Sequence, residues 1–157
     1  MDKYLVFDMD GTIADFYGVK DWKHYLDDLQ DATPYRIAKP IYTPAVLNKL
    51  LMNMKKNGYK IIVVSWLSRV ATDKTFHQRI IEAKKEWLTK TQFPCDDAIF
   101  LNYGENKEDA VKNLSGIKIL IDDSDDVLAT WSGMKIDAKN NILPVLSSLC
   151  EEDKLCA

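Results

Sequence analysis

Two hydrophobic rhythms alternate along this chain. Residues 4–7 (Tyr-Leu-Val-Phe), 61–64 (Ile-Ile-Val-Val) and 117–121 are almost uninterrupted apolar runs, and residues 98–101 form a shorter one. Runs of this length predict strands buried on both faces. Between them, apolar residues recur at helical spacing. Val46, Leu47, Leu50, Leu51 and Met54 follow the start signal Thr43-Pro44, and Asn57-Gly58 closes that helix. Phe76, Ile80, Ala83 and Trp87 mark a long helix that stops before Pro94. Ala110, Val111 and Leu114 mark a short one ending near Ser115-Gly116. Val127, Leu128 and Trp131 give another short helix, residues 134–136 an edge strand and residues 142–149 a terminal helix.

Strands and helices in this order predict an α/β fold, a three-layer Rossmann-like core whose parallel central sheet is covered on both faces. A length of 157 residues suits a single domain with one full core. Residues 17–42 break the rhythm. They hold Tyr17, Trp22, Tyr25, Tyr35 and Tyr42, the prolines Pro34 and Pro40, and one predicted helix near residues 21–29. This stretch reads as a small cap inserted between the first strand and the next core helix.

Composition narrows the function classes. A net charge of -3 argues against an extended nucleic-acid-binding surface. No apolar run reaches membrane-spanning length, and the N-terminus lacks a basic region followed by an apolar core. The three cysteines Cys95, Cys150 and Cys156 are odd in number and form no C-x-x-C pair, so free thiols in a reduced, cytoplasmic protein are expected. His24 and His77 have no His or Cys at ligand spacing, which argues against zinc. Nothing in the sequence speaks to the oligomeric state.

The candidate chemistry sits at the strand ends. Asp8 and Asp10 follow the first strand, Ser65 ends the second, and Asp122 and Asp123 follow the fourth. Parallel strands bring these carboxyl ends to one edge, where open α/β sheets bind ligands. Carboxylates gathered there need a cation or a shared proton to relieve their repulsion; the arrangement suggests a metal site, and hard oxygen donors suit Mg²⁺. Asp125 and Asp126 read as the acidic start of a helix; which of Asp123 and Asp126 assists Asp122 stays open. Lys107, in the first turn of a helix capped by Asn106, is either a phosphate-binding cation or an exposed lysine.

These residues resemble the four motifs of the haloacid dehalogenase superfamily of phosphohydrolases: Asp8-Met9-Asp10-Gly11-Thr12, Ser65, Lys107 and Asp122-Asp123. The continuation Ile13-Ala14-Asp15-Phe16 is similar to the 5'(3')-deoxyribonucleotidase branch, although the insertion is much shorter than in the animal enzymes of that branch. The resemblance implies a Mg²⁺-dependent phosphatase with Asp8 as nucleophile and Asp10 as general acid and base. It also implies Mg²⁺ held by Asp8, the Asp10 carbonyl and Asp122 with support from Asp123, phosphate bound by Ser65 and Lys107, and a nucleobase pocket involving Phe16. Trp66, next to Ser65, is among the aromatics placed to overhang that pocket. The expected partner is a small phosphomonoester, with a nucleotide as the leading choice. A phosphatase for polynucleotide ends or phosphoprotein, and a non-catalytic binding module on the same fold, remain alternatives.

Overall fold

The apolar runs do become a sheet. The computed structural model describes residues 1–70 and 73–156, with side chains to residue 152. Strands β1 (Lys3–Phe7), β4 (Tyr59–Trp66), β5 (Asp97–Leu101), β6 (Ile117–Asp122) and β7 (Met134–Asp137) form one sheet in the order β5-β4-β1-β6-β7. Every pairing in it is parallel. The expected α/β class and its Rossmann-like parallel sheet are present, with 134–136 as the edge strand β7.

Alternation along β1 divides the core. Leu5 and Phe7 face a layer holding Leu47, Leu51 and Met54 of α3 (Pro44–Lys56), Trp87 and Leu88 of α4 (Lys74–Lys90) and Leu146 of α7 (Leu143–Cys156). Tyr4 and Val6 face the other layer, with Val111 just after α5 (Lys107–Ala110) and Val127 of α6 (Asp125–Thr130). Strand order reverses at β1: the chain moves outward to β4 and β5, then crosses to β6 and β7 on the far side. The carboxyl ends of β1 and β6 therefore flank the switch point where such sheets open a ligand crevice.

Several elements differ from expectation in detail. Thr43 occupies the N-cap of α3 without a side-chain cap bond, whereas Gly58 at φ +89° closes that helix as expected. The short helix α5 is a single turn that ends well before Ser115, because Asn106 caps it but few apolar residues hold a second turn. Helix α7 runs past residue 149: Glu151, Glu152 and Leu155 favour helix, and no Gly or Pro stops it.

The insertion holds two helices rather than one. Alongside α1 (Trp22–Asp27) there is α2 (Thr33–Ile37). Pro34 lies in the first turn of α2, where proline is tolerated. The Asp31 carboxylate accepts from Thr33 N at 2.8 Å and Thr33 Oγ1 at 2.7 Å, which secures that start. The segment leaves and returns through an antiparallel pair, β2 (Ala14–Asp15) with β3 (Lys39–Pro40). Its buried residues Phe16, Leu26, Ala32 and Tyr35 pack on Leu67 and on Phe76, Ile80 and Ala83 of α4. Cys95 and Cys150 are free thiols; Cys156 lies outside the described side chains. Among the described residues no helix is long and apolar enough to cross a membrane.

Candidate active site

The loop after β1 is built to present carboxylates rigidly. Asp8 N donates to Ile121 O at 2.9 Å, which ties the end of β1 to β6. The chain then folds on itself, with Thr12 N, Ile13 N and Ala14 N all directed at Met9 O at 3.1, 2.9 and 3.0 Å. Met9 is buried in the core and anchors the turn. Gly11 takes φ +82°, and a Cβ there would stand 2.3 Å from Asp123 Oδ2. Only glycine allows this backbone path and the close approach of Asp123 together.

Three carboxylates meet at the switch point. Asp8, Asp122 and Asp123 each offer an oxygen, and these atoms lie within 4.8 Å of one another. Buried Lys107 bridges two of them, with Nζ 2.7 Å from both Asp8 Oδ1 and Asp122 Oδ2. Thr12 Oγ1 lies 3.3 Å from both Asp8 Oδ2 and Asp123 Oδ1, and Ser124 N donates to Asp122 Oδ1 at 2.9 Å. The residues fit a hard divalent cation, since every donor in the cluster is a carboxylate oxygen and their charge exceeds what one lysine neutralises.

The electrostatics reflect this crowding. Burial, followed by the nearby Asp8 charge, pushes Asp122 up to about 6 against the pull of Lys107. The same two causes raise Asp123 to about 6. Burial opposes the Lys107 ammonium, yet Asp8 and Asp122 hold its pKa above that of an ordinary lysine. Asp10 is raised by burial, with Lys84 opposing and Asp8 assisting.

The expected site residues fall into three groups. Asp8, Asp10, Lys107, Asp122 and Asp123 all line one cavity of about 380 Å³. Phe16 and Trp66 line it too. Phe16 is nearly covered, stacked on Tyr35 at 4.5 Å between ring centroids and 5.1 Å from Trp22, so the insertion supplies an aromatic wall. Trp66 forms part of the opposite rim, its Nε1 donating to Glu105 O at 2.8 Å and its ring 5.0 Å from Tyr103. Ser65 is placed differently: it is fully buried and does not line the cavity. Asp126 lines a neighbouring cavity of about 340 Å³ that shares Trp66, Tyr103 and Lys107 with the first.

One residue absent from the sequence reading stands beside these. Lys84 of α4 is fully buried, and its Nζ reaches Asp10 Oδ2 at 2.6 Å, Ser65 Oγ at 2.8 Å and Trp66 O at 2.8 Å. Its signal was present in the chain, because Lys84 falls four residues after Ile80 and three before Trp87, on the apolar stripe of the helix.

Comparison with known proteins bears on the fold. Neither a protein-family model nor a curated protein matches the sequence. Among solved structures, D,D-heptose 1,7-bisphosphate phosphatase from B. bronchiseptica, complexed with magnesium and phosphate, aligns with a TM-score of 0.55 at 11% identity, over 96% of this chain and 99% of that one. The enzyme of the same name from Burkholderia thailandensis gives 0.52 at 11% identity, over 94% and 98%. The fold, a Rossmann-like α/β core around a parallel sheet, is the one these two phosphatases have. A chain of the Pnkp1/Rnl/Hen1 RNA repair complex aligns with a TM-score of 0.57 at 19% identity over 87% of this chain. This chain spans only 42% of the length of that one.

Proposed function

We propose that this chain is a Mg²⁺-dependent phosphomonoester hydrolase of the haloacid dehalogenase superfamily that works through an aspartyl-phosphate on Asp8. The observation that carries the reading is the convergence of Asp8, Lys107, Asp122 and Asp123 on one cavity at the sheet's switch point. Asp8 attacks phosphorus as the bond to the leaving oxygen breaks, and Asp10 gives that oxygen its proton. Water then attacks the phosphorus, Asp10 takes the water's proton, and phosphate departs from Asp8. Lys107 offers a fixed positive charge to the phosphoryl group. Mg²⁺, held by Asp8, the Asp10 carbonyl and Asp122 with Asp123 close by, supplies further neutralisation of the phosphoryl oxygens when bound.

Asp8→Asn tests the nucleophile. It is expected to abolish hydrolysis of p-nitrophenyl phosphate while the circular dichroism spectrum stays that of wild type; retained turnover removes Asp8 from that role.

For the substrate we favour a nucleoside monophosphate. Half-buried Trp22, backed by the buried pair Phe16 and Tyr35, offers a ring to a base, and such stacking is worth about 1 to 3 kcal/mol. A second reading, a polynucleotide end, is favoured by the neighbouring cavity, which shares Trp66, Tyr103 and Lys107 with the first and offers room for a further part of a longer substrate. Its fold similarity to a chain of an RNA repair complex is in keeping with that reading. Comparing kcat/KM for dTMP and for a 3'-phosphorylated oligonucleotide separates the two. The mononucleotide is expected to be the better substrate, and a strong preference for the oligonucleotide would reverse the assignment.

A further inference from the structure

The buried Lys84 has a geometry that goes beyond holding α4 to the sheet. Its ammonium has three protons and three acceptors, each 2.8 Å away or closer: Asp10 Oδ2, Ser65 Oγ and Trp66 O. The Tyr35 ring of the insertion covers it at 4.8 Å. The cation is thus saturated and shielded, so it has no proton left to offer a phosphate. Two of its three acceptors belong to β4, which is fixed in the sheet on both sides. The third is the carboxylate of Asp10, on the loop after β1. Asp10 also lines the cavity. Holding Oδ2 against β4 restrains the carboxylate, and Oδ1 has no hydrogen-bond partner among the described residues.

We propose that Lys84 is a positioning residue for the Asp10 carboxyl group, clamping one oxygen so that the other meets the leaving group. This rests on the phosphatase reading, in which Asp10 protonates the leaving oxygen. Ser65 acts in the same device, as an acceptor that seats Lys84. Its buried hydroxyl oxygen accepts from Lys84 Nζ at 2.8 Å.

The leaving group reports this role. An alkoxide needs a proton as the P–O bond breaks, whereas p-nitrophenolate departs without one. Lys84→Met is therefore expected to lower kcat/KM for an alkyl phosphate about 30-fold more than for p-nitrophenyl phosphate, less than the roughly 10²- to 10⁴-fold that general acid catalysis supplies in full, because Asp10 is still present but no longer held. A merely structural lysine would reduce both substrates alike, and equal losses, or none, overturn the proposal.

If Lys84→Met does not fold, Asp10→Asn is compared with Asp10→Asn/Lys84→Met, which leaves no buried carboxylate unpaired. The two are expected to hydrolyse each substrate at equal rates, because no acid remains to be placed. An added loss of about tenfold or more overturns the proposal. Wild-type protein that hydrolyses neither substrate with Mg²⁺ overturns the phosphatase reading itself, a result distinct from either failure of Lys84.

Discussion

Gly11 shows how much one residue decides. Its positive φ makes the turn after β1, and its missing side chain is the space into which the Asp123 carboxylate fits. Gly11→Ala meets both obstacles at once. The left-handed backbone alone costs about 1 to 2 kcal/mol for a residue with a Cβ, and the clash displaces Asp123 as well. The expected outcome is a lower melting temperature together with a weaker response to Mg²⁺ in thermal melts; an unchanged Mg²⁺ titration would separate Asp123 from the metal. Residues differ in how openly they announce themselves. Asp8, Asp10, Asp122 and Asp123 were legible because they end apolar runs. Lys84 was not, since a lysine in an amphipathic helix is usually solvated and only its register with Ile80 and Trp87 marks it. Ser65 was placed at the correct strand end, but which way a strand-terminal hydroxyl turns depends on Lys84, which belongs to another element.

At the scale of elements, sequence patterns served best where burial was complete. Strands β1, β4 and β6 each carry a buried apolar stretch and emerged close to their expected limits. The insertion was harder, because its helices are short and packed by aromatics rather than by a periodic stripe. Helix α1 has one buried residue, Leu26. Leu26→Ala removes that anchor, and large-to-small changes at such positions cost about 2 to 5 kcal/mol. The loss is expected to be spent locally. Hydrogen exchange should accelerate at residues 22–29 while the amides of β1, β4 and β6 keep their protection. Uniform acceleration across the chain would mean that α1 is integral to the core.

For the molecule as a whole, the acidic cluster couples stability to pH and to metal. Burial and the Asp8 charge raise Asp122 and Asp123 to about 6, above the ordinary carboxylate range of the unfolded chain. A raised folded pKa means that their contribution to stability is present below about pH 4 and is lost as pH rises through about 6. On the proposed reading, Mg²⁺ binds with both groups ionised. The melting temperature gained on adding Mg²⁺ should therefore be small at about pH 5 and large at about pH 7.5. A gain independent of pH would place the ion elsewhere.

The narrow neck of the insertion has a consequence of another kind. Ala14 and Asp15 leave the core beside Pro40 and Lys39, which return to it, and Ile41 N donates to Ile13 O at 2.9 Å just below. A segment whose two ends are stitched side by side can grow, shrink or be exchanged without shifting the floor beneath it. A lineage, or a designer, can rewrite the residues above the neck so long as an aromatic still packs on α4 where Tyr35 does.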